Sequence, residues 1–224
     1  MTYEEFIYNQ AVRQTKSDMI AVGKRLADKG LLVGAGGNYS VRIGEDRILL
    51  TASGFDKAAI NESQISLIDM EGNLLEGLMP ARDIRMHLEV YRNMPEIRAV
   101  VHSHTPISTG FAMSSYHVED FMMPEALLDI GGIDTTEFAV PTTVQVPECV
   151  HTCIEKNPKV RALILRGHGV LCMSEKDVMD ACYKVEYLEA VCKAILTTKI
   201  AGGAYVLSET ELDGINRVLN GERW

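Results

Sequence analysis

The chain has no basic run, no long apolar run and no Cys-x-x-Cys pair, and each absence closes a class of function. Its net charge of −9, with Lys and Arg scattered, argues against nucleic acid, because neutralising phosphates takes clustered cations. No apolar stretch approaches the length that spans a bilayer, so no membrane association is expected. The opening Met1-Thr-Tyr-Glu-Glu-Phe6 is acidic, where a secretory leader would be basic and then apolar. The cysteines are five, an odd number: Cys149, Cys153, Cys172, Cys182 and Cys192. They read as buried thiols in a reducing compartment, and the expectation is a cytoplasmic protein. Cys149 and Cys153 stand at helical spacing, but no complementary ligand pair accompanies them. Repeats, low-complexity tracts and linkers are also missing, so residues 1–224 are expected to form a single domain.

What is present is an alternation of helical and strand patterns. Apolar residues from Phe6 to Leu26 recur at helical spacing, predicting a helix over 3–29 that is broken near Thr15–Ser17 and stopped by Gly30. Val41-Arg-Ile43 and Arg47–Thr51 predict a hairpin, and residues 65–72 begin another that turns at Glu71-Gly-Asn73. Pro80-Ala-Arg-Asp83 introduces an amphipathic helix through Met86, Leu88, Val90 and Tyr91, with Asp83 in or beside its first turn. Ala99-Val-Val is a buried strand, and helical segments follow at 106–114 and from Pro147 to about Lys156. Glu137–Val140 predicts a short strand, and Arg161–Leu165 and Val170–Met173 two buried ones. Ser174 with Asp177 resembles a capping box for a long helix over 175–200, and a short helix begins in Leu207–Glu211. Strands arranged partly in hairpins and partly between helices point to a three-layer α/β/α sandwich on one mixed, largely antiparallel sheet.

Chemistry concentrates at Val101-His102-Ser-His104. Side chains on a strand repeat with period two, so His102 and His104 share a face and offer two nitrogens to one ion. His168 lies between Gly167 and Gly169 directly after an apolar strand, where glycines allow close backbone approach. Two strand ends together supply three imidazoles and leave a coordination position open, as catalytic rather than structural zinc requires. The glycine-rich Gly34-Ala-Gly-Gly37 is no nucleotide loop: it precedes a strand and has neither the Walker lysine nor the Rossmann spacing.

Five motifs in order make a set: Gly37-Asn38-Tyr-Ser40, Thr51-Ala-Ser53-Gly54, Pro80-Ala-Arg-Asp83 with His87, Val101-His102-Ser-His104, and Arg166-Gly-His168-Gly169. From about residue 10 to 215 the chain thereby resembles the class II aldolase/adducin family, which includes L-fuculose-1-phosphate aldolase and L-ribulose-5-phosphate 4-epimerase. The resemblance implies that His102, His104 and His168 ligate a divalent metal: Zn²⁺, which imidazoles favour, or Mn²⁺, Fe²⁺ or Co²⁺. It implies that Gly37, Asn38, Ser53 and Gly54 hold the substrate's anionic end, and that Asp83 is the acid/base or a fourth, displaceable ligand. The implied reaction is retro-aldol cleavage of a ketose phosphate through a metal-stabilised enediolate. The implied assembly is a homotetramer.

The departures bear on substrate. Ala35 replaces a threonine of the fuculose phosphate aldolases, and Ala81 and Arg82 replace two serines that would donate to phosphate. Arg82 could instead fork onto a phosphate or carboxylate, or be a solvated surface residue. The acid is aspartate, as in the epimerase. Met123 aligns loosely with the aldolase's tyrosine acid, with Tyr116 and Glu125 close by. Metal-dependent decarboxylation or 4-epimerisation on the same site is therefore the alternative. A non-catalytic, adducin-like binding module is a third reading, but it predicts lost ligands. His87, one helical turn after Asp83, reads equally as structural or as support for the site; His117 and His151 read as surface residues. Trp224 reads as a frayed end or a residue lent to a neighbouring subunit.

Overall fold

The computed structural model describes residues 3–118, 123–124, 126–203, 205 and 207–222. Glu125 and Trp224, both singled out above, lie outside the described residues. Helix α1 (Tyr3–Asp28) leads into strands β1 (Asn38–Arg42), β2 (Arg47–Thr51), β3 (Ile65–Asp69) and β4 (Leu74–Glu76). Helix α2 (Ile84–Asn93), strand β5 (Ala99–Ser103), helix α3 (Pro106–Ala112) and strand β6 (Ile133–Thr135) follow. The rest is α4 (Gln145–Lys156), β7 (Ala162–Leu165), β8 (Gly169–Ser174), α5 (Val178–Ile200) and α6 (Glu209–Leu219).

The strands form one sheet in the order β4-β3-β2-β1-β5-β8-β7-β6. Every neighbouring pair is antiparallel except β6 with β7, which makes the sheet mixed as expected. The pleat divides the core in two. Tyr39, Val41, Leu49, Ala99, Val101 and Cys172 pack on the side of α1 and α5, and Ile48, Leu50, Val100, Leu171 and Met173 on the side of α2 and α4. The three layers follow from this period-two partition. Strand β5, buried at all five residues, sits between β1 and β8 and carries the histidine pair out of the sheet at its C-terminal end. No helix of the described residues is long and apolar enough to cross a membrane. All five cysteines are unpaired, and four of them are buried.

Three local expectations are corrected. Helix α1 runs unbroken through Thr15, where the hydroxyl is accommodated by donating to the Ala11 carbonyl at 2.9 Å. Residues 137–140 are not a strand: pairing with β7 ends where the Thr136 N–H meets the Ile164 carbonyl. Beyond it Phe138 and Val140 are exposed, so their alternation has no partner strand. Helix α5 begins at Val178, capped by Asp177, whose carboxylate accepts from the Asp180 N–H at 2.8 Å. Ser174 instead closes a turn onto the Lys176 N–H and donates to Asp180.

Candidate metal centre

The Asn38↔His102 pairing between β1 and β5 and the His102↔Leu171 pairing between β5 and β8 fix His102 in the middle of the sheet. Its side chain is fully buried, and its Nδ1–H donates to the Val170 carbonyl at 2.8 Å. That bond sets the tautomer and leaves the Nε2 lone pair facing outward. His104 lies just past the strand, with its Nε2 3.0 Å from His102 Nε2. His168 closes the group from the turn between β7 and β8. The three ring centroids are 4.7, 4.8 and 4.9 Å apart, and the ligand atoms lie within 4.8 Å of one another.

The donor set fits a divalent ion. Two imidazole nitrogens at this distance share either a single hydrogen or a cation, and tetrahedral zinc places its ligands roughly 3.3 Å apart. Burial, and then the neighbouring imidazoles, hold His102 well below its ordinary pKa; burial foremost lowers His104 and His168 too. All three are neutral near pH 7, the form in which imidazole binds metal.

Glycine is required beside this cluster. A Cβ on Gly169 would stand 2.6 Å from the Ser103 carbonyl oxygen and 2.7 Å from His104 Cδ2. Gly37, at φ 71°, would bring one to 2.7 Å from the His102 carbonyl oxygen. Backbone oxygens of a central strand cannot move aside cheaply, so Gly169→Ala should lose about 1–3 kcal/mol of stability by overpacking, measured by urea unfolding. Its metal affinity should fall with it, because the displaced neighbour is His104.

Asp83 approaches from the N-terminus of α2. It occupies the cap position yet makes no side-chain cap bond there. Its Oδ2 lies 3.9 Å from His102 Nε2 and accepts from Asn38 Nδ2 at 2.9 Å. Asn38 Oδ1 in turn meets His87 Nε2 at 2.6 Å, and His87 Nδ1 lies 2.8 Å from Ser40 Oγ, itself 2.8 Å from the Tyr91 hydroxyl. The family resemblance implies Asn38 on the substrate, and the sequence pattern alone leaves His87 open and gives Tyr91 only a place on the apolar face of its helix. The structure joins all three to Asp83. The readable signal was spacing: Asp83, His87 and Tyr91 recur every fourth residue on a helix, and Asn38 and Ser40 every second on a strand.

Full burial lowers the His87 pKa to about 4, against an ordinary 6.5. The sign follows directly. Above pH 6.5 the ring is neutral both folded and unfolded; as pH falls toward 4 only the unfolded chain takes the proton, so stability is lost. The loss is about 3 kcal/mol between pH 7 and pH 4, and His87→Gln, which cannot titrate, should lack it. Urea unfolding of both proteins at the two pH values measures the difference.

The loops around the centre are tied together. The Lys57 N–H donates to the Gly34 carbonyl, joining the Gly34–Gly37 and Thr51–Lys57 loops. The Lys57 ammonium, invisible as a site residue in the sequence, is buried under the second loop on the carbonyls of Ala52 and Phe55, at 3.2 and 2.8 Å. The Ser53 N–H is already committed to the Met79 carbonyl. The turn continues through Gly54 at φ 81°. On the other flank, Glu189 of α5 accepts from the Ile107 and Ser108 N–H groups, both at 2.8 Å, and anchors α3 directly after His104.

Arg82 is exposed and holds no ion pair among the described residues. Tyr116 packs edge-on against Phe111 beneath the Lys199 ammonium, and Met123 packs on the α1 side of the core. His117 is exposed, and His151 is a partly exposed bridge between Glu89 and Glu155.

Residues 17–196 match the family model of the Class II Aldolase and Adducin N-terminal domain. An L-fuculose phosphate aldolase of Methanococcus maripaludis is 32% identical over 177 residues, 79% of this chain and 93% of the relative. A 3-oxo-tetronate 4-phosphate decarboxylase of Haemophilus influenzae is 29% identical over 202 residues, 88% of this chain and 93% of the relative. The solved structure of an L-fuculose 1-phosphate aldolase superposes with a TM-score of 0.83 at 27% identity, covering 92% of this chain and 96% of that one.

Proposed function

This chain belongs to the class II aldolase and adducin family, and on that premise we propose a divalent-metal-dependent lyase that cleaves a ketose phosphate by a retro-aldol reaction. One observation carries the reading: three imidazoles converge within 4.8 Å, with an anchored carboxylate 3.9 Å from one of them. His102, His104 and His168 would hold the ion, with Zn²⁺ the best match to an all-imidazole set. When bound, the ion polarises the ketose carbonyl and stabilises the negative charge that develops as the neighbouring C–C bond breaks. Asp83 takes the hydroxyl proton whose loss drives that cleavage, and a carboxylate held by Asn38 reaches it without a costly search. The Gly37–Asn38 turn and the Ser53–Gly54 turn receive the phosphate. Ser53 contributes its hydroxyl, and Asn38 the amide hydrogen that Asp83 leaves unused. A homotetramer, the assembly the family resemblance implies, is proposed for this chain too.

A second reading has its own support. The Haemophilus influenzae relative is a decarboxylase. Ala35, Ala81 and Arg82 remove hydroxyls and add an exposed guanidinium beside Asp83, which suits a carboxylated sugar phosphate. Metal-loaded protein incubated with ketose 1-phosphates and with 3-oxo sugar-acid phosphates separates the two. Release of dihydroxyacetone phosphate with an aldehyde supports the aldolase, CO₂ without aldehyde replaces it by the decarboxylase, and neither product overturns both.

A further inference from the structure

The contacts leading away from Asp83 alternate strictly between helix and strand: Asp83, Asn38, His87, Ser40, Tyr91. Asp83 at the N-cap of α2 and His87 and Tyr91 within it, spaced by four, lie over two β1 residues spaced by two, and these spacings are nearly equal in length, so the side chains interleave like a zipper. Asn38, Ser40, His87 and Tyr91 are all buried, and among the described residues the imidazole's hydrogen-bond partners are Asn38 and Ser40, neither of them a carboxylate.

Only one set of hydrogen positions satisfies every contact. The Asp83 carboxylate is an acceptor, so Asn38 must face it with the NH₂ and turn its oxygen to His87. His87 must then carry its hydrogen on Nε2. A buried imidazole without a counter-ion is neutral, so Nδ1 accepts from the Ser40 hydroxyl. Ser40, having donated there, accepts from the Tyr91 hydroxyl. Reversing any link puts two donors or two acceptors face to face.

We infer that Tyr91, Ser40 and His87 are positioning residues that lock the Asn38 carboxamide in one orientation and thereby aim the Asp83 carboxylate at the three-histidine centre. The inference rests on the reading of Asp83 as the proton-transfer group. An Asn38 amide free to turn over would present its oxygen to Asp83 and repel it. His87 therefore acts on turnover without touching substrate.

The test compares wild type, His87→Leu, His87→Gln, Asp83→Asn and the His87→Leu/Asp83→Asn double variant, all loaded with the same metal. His87→Leu should keep its metal stoichiometry and KM and lose about 10- to 100-fold in kcat. His87→Gln, which still offers an N–H to Asn38, should recover most of it. In the Asp83→Asn background, His87→Leu should cost nothing further, because the carboxylate it aims is gone. A loss that persists there, or that glutamine does not relieve, overturns the inference. Ser40→Ala, which leaves the imidazole in place and frees its tautomer, supplies the same comparison should His87→Leu not fold. Independently of activity, the urea midpoint shifts of His87→Leu and Asn38→Leu should be sub-additive in the double variant; additive shifts overturn the lock. Should wild-type protein release no aldehyde, the proposed function fails and this unfolding cycle alone decides the lock.

Discussion

The His102→Ala protein is expected to carry less than about a tenth of the divalent metal bound by wild type, and to turn over at least roughly a thousandfold more slowly. His102 is the most constrained of the three ligands. Its ring is fully buried, its tautomer is set by the Val170 carbonyl, and its Nε2 lies 3.0 Å from that of His104. Its removal leaves His104 and His168, both half-buried and reached from turns rather than from strand interior. Two imidazoles do not hold a divalent ion against dilution as three do. Loss of the ion removes several kcal/mol of charge stabilisation, which is the thousandfold. Plasma mass spectrometry on gel-filtered protein gives the stoichiometry. The same samples, heated with and without added zinc, give a second reading: wild type should melt higher with metal, and His102→Ala should not respond. Stoichiometric metal in the variant would sink the three-histidine assignment.

The histidine cluster was legible because each half is a local pattern. Period two places His102 with His104, and a glycine on either side of His168 marks a crowded turn. The would-be Cβ contacts of Gly169 show the physical reason for that glycine: the start of β8 lies against Ser103 and His104. The support behind Asp83 was not legible, since it depends on register. Only the Asn38↔His102 and Ser40↔Val100 pairings turn Asn38 and Ser40 toward α2, and no local pattern reports how a strand is paired. Lys57 escaped for a related reason. A lysine after a small-residue loop reads as solvated, and only the fold wraps Ala52 and Phe55 around its ammonium. The residues at 137–140 erred the opposite way. They have strand alternation, but an alternating segment becomes a strand only where a neighbour offers hydrogen bonds, and β7 ends at Leu165.

Asp83→Asn is expected to keep its metal and lose about a hundred- to ten-thousandfold in kcat, the range general acid–base catalysis spans. The substitution is unusually clean here. The new amide can turn its oxygen to Asn38 Nδ2, preserving the 2.9 Å bond that holds the side chain, and the cap position loses nothing because Asp83 makes no side-chain cap bond. What disappears is the charge and the ability to take a proton, 3.9 Å from His102. Measuring metal and kcat on one preparation then separates the two roles open to this carboxylate. If Asp83 transfers the proton, metal stays near one per chain and KM barely moves while kcat collapses. If Asp83 is instead a fourth ligand, metal affinity falls first, and saturating metal restores much of the rate. The geometry favours the former: the Asp83 oxygen nearest the centre, Oδ2, lies 3.9 Å from His102 Nε2 and is already held by Asn38 Nδ2 at 2.9 Å.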